Sequence, residues 1–496
     1  MPNTQPQSTD HRPRSERSKR SVFRPPSSVL CLLSSVLCLL SSVLCAQELP
    51  PSVRKALAAA RIPESAVAVV VQPVDGAAPI LEHNGDAPMN PASVMKLVTT
   101  YAALEILGPG ATWQTGAWAD AEPDGQGVLR GNLYLKGSGD PDLTLERFWL
   151  LLRQLRGKGV RTIAGDLVLD HSLFHLPPRD PAAFDQRPLR AYNVAPDALM
   201  VDFFTLRLTF QPEDDGIRFI NDTPNDNAAV SVRLVPSKGR CDGWRDRLDL
   251  RWAAGRLEID GSYPVSCGEK TLLLSPLSPD AHVDGLFRAL WRELGGSFTG
   301  KTRAGLLPVN AKLLATQPSP SLSEIVRGMN KWSNNITARQ LFLALDDNPT
   351  VKTEESARKR VAAWLAGRRL HFPELVLENG SGLSRIERIS ANHLNHLLLA
   401  AWQSANMPDF LASLPIAAVD GTLQKRLAGT PAAGRARLKT GSLNGVKTAA
   451  GYVQDTQGRR YAVTFLINHP AAAEGQPAID DFLRHVATGG LAVPAR

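Results

Sequence analysis

Hydrophobic and polar positions divide the chain into three regimes. The first opens with "SAVAVVVQPVD", an almost unbroken β-branched run at 65–75, which "APILEHN" follows after a turn; together they predict a strand hairpin. In "NPASVMKLVTTYAALEILGPG", residues 90–110, Leu97, Val98, Tyr101, Leu104 and Leu107 recur at helical spacing between Pro91 and the Gly108-Pro109-Gly110 break. A buried amphipathic helix is the expected result. From 129 to about 307 short strand patterns alternate with turns: "GNLYLKGSGDPD", "TIAGDLVLD", "FFTLRLTF", "AVSVRLVP" and "RLEIDGSY". Helical spacing returns in "SPSLSEIVRGMNKWSNNITARQLFLAL", and the chain closes on strand patterns at 436–440, 448–454 and 461–468 and a helix near 479–487. The order predicts an α/β domain split in sequence, its parts at 47–128 and 309–496. A β-rich two-part insertion occupies 129–200 and 276–308, with a nested β-rich subdomain at 201–275.

Length and composition agree with this division. At 496 residues the chain exceeds one compact core, and 43% hydrophobic with 21% charged residues is a globular composition. Half of the formal +8 charge lies in residues 1–24, where Arg12, Arg14, Arg17, Lys19, Arg20 and Arg24 face only Asp10 and Glu16. The near-balanced remainder shows no basic stripe interleaved with aromatics, so nucleic-acid binding is not expected. The basic start precedes "SSVLCLLSSVLCLLSSVLCAQ", an uncharged threefold repeat ending beside Ala46, and this basic, apolar, small order predicts a signal peptide over 1–46. An uncleaved anchor is the alternative, giving at most a loose membrane association, and export follows from either. Leu44 before Cys45 argues against a lipoprotein signal. With Cys31, Cys38 and Cys45 in the leader, only Cys241 and Cys267 remain to pair in an oxidising compartment.

Candidate chemistry begins with Ser93 and Lys96, three apart and stacked on one helical face. A lysine in a dry pocket loses its proton readily and can serve as base to a serine, while free N–H groups at a helix start can bind an oxyanion. The pattern is cheap: Ser52 and Lys55 repeat it in an ordinary charged segment. A full phosphate-loop match, "GGSFTGKT" at 295–302, lies after a helix rather than between strand and helix, so nucleotide binding is not expected. His171 and His175 lack an acidic partner for a zinc motif, and no G-x-S-x-G elbow exists.

Two further signals give Ser93 its weight. "KWSNNITARQ" supplies Ser333 and Asn335 at a helix start, and "RLKTGSLNG" supplies Lys439-Thr440-Gly441 at the end of a strand. S-x-x-K, S-x-N and K-T-G in this order are the signature of penicillin-interacting serine enzymes. With "GNLYLKGSGDPDL", "IAGDLVLD", "NGSGLSR" and "DGTLQKR", the chain from about 49 to its end resembles the low-molecular-mass class C penicillin-binding proteins, D-alanyl-D-alanine carboxypeptidases and endopeptidases. The long interval between Ser93 and Ser333 is where that family carries inserted domains. The resemblance implies a transpeptidase/β-lactamase-like catalytic domain, an antiparallel sheet with helices on both sides.

It also implies roles. Ser93 is acylated by the penultimate D-alanine carbonyl, Lys96 takes its proton, and Ser333 with Lys439 protonates the leaving group. Asn335 holds the substrate amide, Lys439 and Thr440 face the terminal carboxylate, and Gly441 lets substrate approach the strand edge. Backbone N–H groups of Ser93 and Ser442 form the oxyanion hole. Arg385, Thr422, Asp170 and Phe174 are further substrate-binding candidates, the last two for the substrate's long side chain, and no metal or organic cofactor is needed. Expected partners are peptidoglycan stem peptides and β-lactam inhibitors, and the expected place is the periplasm or cell envelope of a bacterium. Asn334 departs from the S-D-N form of the signature. A β-lactamase and a non-catalytic peptidoglycan or β-lactam binder are the other readings, the first weakened by the lack of an evident deacylating glutamate motif.

Overall fold

The first hairpin's apolar run becomes a strand, Val67–Pro73, buried at every residue. A strand sheltered on both faces needs no polar alternation, and its side chains divide cleanly. Val67, Val69 and Val71 enter one hydrophobic layer, Ala68 and Val70 the other. In the computed structural model, which describes residues 48–491, this strand is fourth in a five-stranded antiparallel sheet. The order is Ala436–Leu443, Val446–Gln454, Arg460–Asn468, Val67–Pro73, Leu81–His83. The leader at 1–46, with Cys31, Cys38 and Cys45, lies outside the described residues.

Helices cover both faces. Pro51–Ala59 and Gln476–Ala487 pack on one side; Lys96–Ile106, Leu322–Trp332, Asn335–Ala344 and Ala391–Gln403 share the core on the other. The domain is therefore an antiparallel sheet with helices on both sides, as expected, with Ala436–Leu443 as its outermost strand. No helix among the described residues is long and apolar enough to cross a membrane.

The insertion carries its own mixed sheet, ordered Thr302–Ala304, Leu167–Asp170, Leu133–Lys136, Gln114–Ala119, Lys312–Pro318. It reaches beyond 129–308 on both sides, because Gln114–Ala119 and Lys312–Pro318 pair with each other and close the sheet where the chain leaves and re-enters the catalytic domain. It is also less purely β than the strand patterns suggest: helices Leu145–Gly157 and Pro279–Glu293 fill its core. The phosphate-loop match follows the second of these helices and runs through the short strand Ser297–Phe298 into Thr302–Ala304, with no helix N-terminus to hold a phosphate.

Two three-stranded sheets form the nested subdomain, around a core that includes Phe210, Trp244 and Tyr263. Cys241 and Cys267 are bonded there, with Cα atoms 4.8 Å apart. A loop of 26 residues closed this way stabilises by about 3 kcal/mol in the chain-entropy account. Reduction is therefore expected to raise amide exchange across Leu248–Ala253 and Arg256–Pro264, leaving the catalytic sheet protected. Equal exchange in oxidised and reduced protein would show that the bond carries no such load.

Candidate active site

The serine turn is built by side chains that hold backbone. Asn90 accepts from the Ala92 amide through Oδ1 (2.8 Å) and donates to the Ser384 carbonyl (2.9 Å), while Thr448 donates to the Pro91 carbonyl (2.8 Å). Between them Ala92 is held at φ 47°, a left-handed conformation that costs a non-glycine residue about 1 kcal/mol or more. Residues Ala92–Met95 form a 3-10 turn leading into the helix Lys96–Ile106. In a 3-10 turn positions three apart eclipse, so Ser93 and Lys96 stand closer to one line than an α-helical reading gives.

Lys96 does not snorkel; it is fully buried. Its Nζ lies 3.2 Å from Ser93 Oγ, 2.6 Å from Asn335 Oδ1 and 2.5 Å from the Ser381 carbonyl oxygen. Every contact is to a neutral oxygen. Burial, then the nearby cations Lys439 and Arg339, hold its pKa well below the ordinary 10.5, against a smaller opposing pull from Glu387.

Ser333 ends the helix Leu322–Trp332 in a left-handed conformation, φ 57°, and Asn335 begins the next helix. Between them, the Asn334 side chain accepts from the amides of Ile336 (2.9 Å) and Thr337 (3.2 Å), capping that helix. The departure from aspartate is thereby explained: the middle residue serves as a cap, and asparagine caps as well as aspartate. Lys439, fully buried on the edge strand, donates to Ser333 Oγ at 2.8 Å and to the Thr440 carbonyl at 2.7 Å. Burial lowers its pKa to about 7.

Thr422 reaches the same corner, its hydroxyl 3.0 Å from that of Thr440. Its turn is anchored by Asp420, which accepts from the buried Lys331 at 2.6 Å. Arg385 lies over the Phe184 ring at 4.5 Å and donates to the Asn444 carbonyl at 3.1 Å. With Ser333, Asn335 and Ser442 it lines a cleft of about 1100 Å³.

Three of the expected substrate-binding residues have structural contacts of their own. A Cβ on Gly441 would stand 2.2 Å from Thr448 Oγ1 and 2.8 Å from the Pro91 carbonyl. The missing side chain thus makes room for the serine turn behind the strand. Asp170 is absent from the cleft lining; its oxygens accept from the amides of Ser172 (2.9 Å) and Leu307 (2.8 Å), which fixes two loops of the insertion. Phe174 also lies outside that lining, packed over Gly139 and bridged to Lys352. His171 lies between two carboxylates. Burial opposes its charge, but Asp197 and Asp280, at 2.6 and 3.0 Å, push it up to about 10.

Residues to which the sequence assigned no role complete the site. The Ser381 carbonyl that meets Lys96 sits in a turn held by Glu387, buried and accepting from the amides of Glu378, Asn379 and Gly380 at 3.1, 3.1 and 3.2 Å. Gly382, at φ +80°, must be glycine, since a Cβ would fall 1.9 Å from the Ala92 carbonyl oxygen.

Comparison with known proteins fits this geometry. A D-alanyl-D-alanine carboxypeptidase from Actinomadura sp. (strain R39) is 30% identical over 405 residues, covering 76% of this chain and 73% of the relative. The D-alanyl-D-alanine carboxypeptidase DacB of Haemophilus influenzae is 27% identical over 395 residues, covering 78% and 82%. In three dimensions, penicillin binding protein 4 (dacB) from Haemophilus influenzae superposes with a TM-score of 0.70 at 24% identity, over 87% of this chain and 99% of that one. A predatory endopeptidase from Bdellovibrio bacteriovorus shares the fold at TM-score 0.51 and 15% identity, over 86% and 93%. Residues 49–486 match the D-Ala-D-Ala carboxypeptidase 3 (S13) family, a group of serine-type peptidases, and the chain belongs to it.

Proposed function

We propose that this protein hydrolyses the D-Ala-D-Ala end of peptidoglycan stem peptides, and their cross-links, through an acyl-enzyme on Ser93. The observation that carries the reading is Lys96, buried between the hydroxyl of Ser93 and two neutral acceptors with its pKa well lowered. As a neutral amine it gives its two N–H groups to Asn335 Oδ1 and the Ser381 carbonyl. Its lone pair is left for the Ser93 proton.

The steps follow from placement. Ser93 Oγ attacks the carbonyl of the penultimate D-alanine as Lys96 takes its proton. Substrate lies along the edge strand Ala436–Leu443 as an added strand, its terminal carboxylate at Lys439 and Thr440, and amide groups at Ser93 and Ser442 receive the oxyanion. The proton that leaves with the amine comes from the Lys439 ammonium through Ser333 Oγ, 2.8 Å away. Water then cleaves the ester, with Lys96 again as base. A free D-alanine as leaving group makes the reaction a carboxypeptidase; a cross-bridged stem makes it an endopeptidase. β-Lactams acylate the same serine and stall at the ester, and the basic and apolar leader exports the chain to the compartment where the substrate lies. Incubation of leaderless protein with defined cell-wall fragments should release free D-alanine and uncrosslinked peptides; neither product appearing would end this reading.

Ser93→Ala is expected to abolish covalent labelling by penicillin. Lys96→Arg keeps charge but not a readily lost proton, so labelling should slow at least ~100-fold in a protein that still folds, while Lys55→Arg in the decoy motif is silent. Near-normal labelling of Lys96→Arg would sink the proton-transfer mechanism.

The two lysines also set opposite pH limbs. Lys96 acts neutral, so acylation rises with pH on its limb. Lys439 acts as a cation, present below about 7 and lost above it, so kcat/KM for D-Ala-D-Ala peptides is expected to fall as pH rises through about 7. Lys439→Arg should carry that falling limb several pH units upward in whatever activity remains. An unmoved limb would assign it to another group.

A further inference from the structure

The 1100 Å³ cleft meets the catalytic cluster at Ser333, Asn335 and Ser442 and extends beyond them. Which part of a substrate lies in the rest follows from strand direction. With the terminal carboxylate at Lys439 and Thr440 and the added strand antiparallel, residues upstream of the scissile bond advance past Ser442 towards Asn444 at about 3.3 Å each. Ser442, Leu443 and Asn444 all line the cleft, so the cleft extends on the acyl-donor side.

Its far wall comes from the insertion and the nested subdomain, and it is cationic. Arg190, Arg207 and Arg245 line it, and no ion pair among the described residues engages any of the three. Of the acids nearby, Asp246 pairs with Arg187 at 3.0 Å, Asp185 accepts from Tyr192 at 2.7 Å and Asn193 at 2.8 Å, and Asp202 and Glu146 act on Arg207 without forming an ion pair with it. Arg190 is the informative member. Only 8% of it is exposed, its Nη2 donates to the Arg245 carbonyl at 3.2 Å, and its Nη1 is buried with no partner. A buried guanidinium without an anion is costly, and a planar fork of N–H groups matches a carboxylate. The fold leaves this one unmatched at the wall of a substrate cleft.

We propose that Arg190, Arg207 and Arg245 form a carboxylate-recognition subsite for the acyl-donor stem peptide, upstream of the residue that precedes D-Ala-D-Ala. This rests on the DD-peptidase reading and adds a substrate class to it: stems with a free carboxylate two residues before the D-alanines. A glutamate joined through its γ-carboxyl presents such a group, and its amidated form does not.

The test compares L-Ala-γ-D-Glu-L-Lys-D-Ala-D-Ala with the same peptide amidated at the glutamate α-carboxyl. For the native protein, kcat/KM for D-alanine release is expected to be at least tenfold higher on the free acid. In R207Q/R245Q, which spares the buried arginine, that ratio should fall towards one. Arg130→Gln, on an exposed side chain outside the cleft lining, should preserve it. Equal rates on both peptides, or an unchanged ratio in R207Q/R245Q, would overturn the subsite while D-alanine release upholds the peptidase. Absence of release from either peptide, with no labelling of Ser93 by penicillin, would instead overturn the reading beneath it.

Discussion

Everything in this active site depends on keeping two lysine amines out of water with no carboxylate bonded to either. Lys96 and Lys439 are both fully buried, and their hydrogen bonds end on hydroxyl, amide and carbonyl oxygens. A carboxylate in their place would hold each proton and raise each pKa. Neutral acceptors satisfy the donors without fixing the charge, and burial then lowers both pKa values, that of Lys439 to about 7. The cost falls on the fold, and the two-sided core of the catalytic domain offsets it.

That core places the amines through backbone that resists rearrangement. The turn before Ser93 is clamped from three directions: Asn90 from within, Thr448 from the sheet and Gly382 from the neighbouring turn. Strain at Ala92 and the left-handed Ser333 lie on either side of the reacting centre, where the surrounding bonds over-determine them. Serine, lysine, serine and lysine thus come from three chain segments and stand as two hydrogen-bonded pairs, Ser93 with Lys96 and Ser333 with Lys439.

The sequence carried much of this because proton transfer restricts residue types. A serine, an amine and an amide at fixed spacing can be read without coordinates, and the split catalytic domain follows from where the three motifs fall. A backbone carbonyl has no residue type, so Ser381 was invisible as the partner of Lys96, and a lone buried Glu387 resembled any other glutamate. The room that Gly441 leaves for the serine turn went unread because the direction of an absent Cβ depends on which face of the strand it occupies. The backbone amides held by Asp170 went unread for a related reason: an aspartate that accepts two of them looks, in sequence, like any other. The added helix Leu145–Gly157 was hidden among strands whose turn signals dominated the segment.

The strand Ala436–Leu443 ends its sheet; the backbone of Pro415 and Ala417 covers its first half through bonds to Leu438 and Ala436, and the open edge begins at the K-T-G stretch. An open edge is ordinarily a hazard, since any extended segment of another protein can join it and begin aggregation. Here the wall carrying Arg190, Arg207 and Arg245 faces that edge across the cleft. An extended segment joining the open part of this edge would therefore meet the arginine side chains of the insertion on its other flank, so the groups that offer backbone hydrogen bonds and the groups that set the charge of what may lie there come from different parts of the chain.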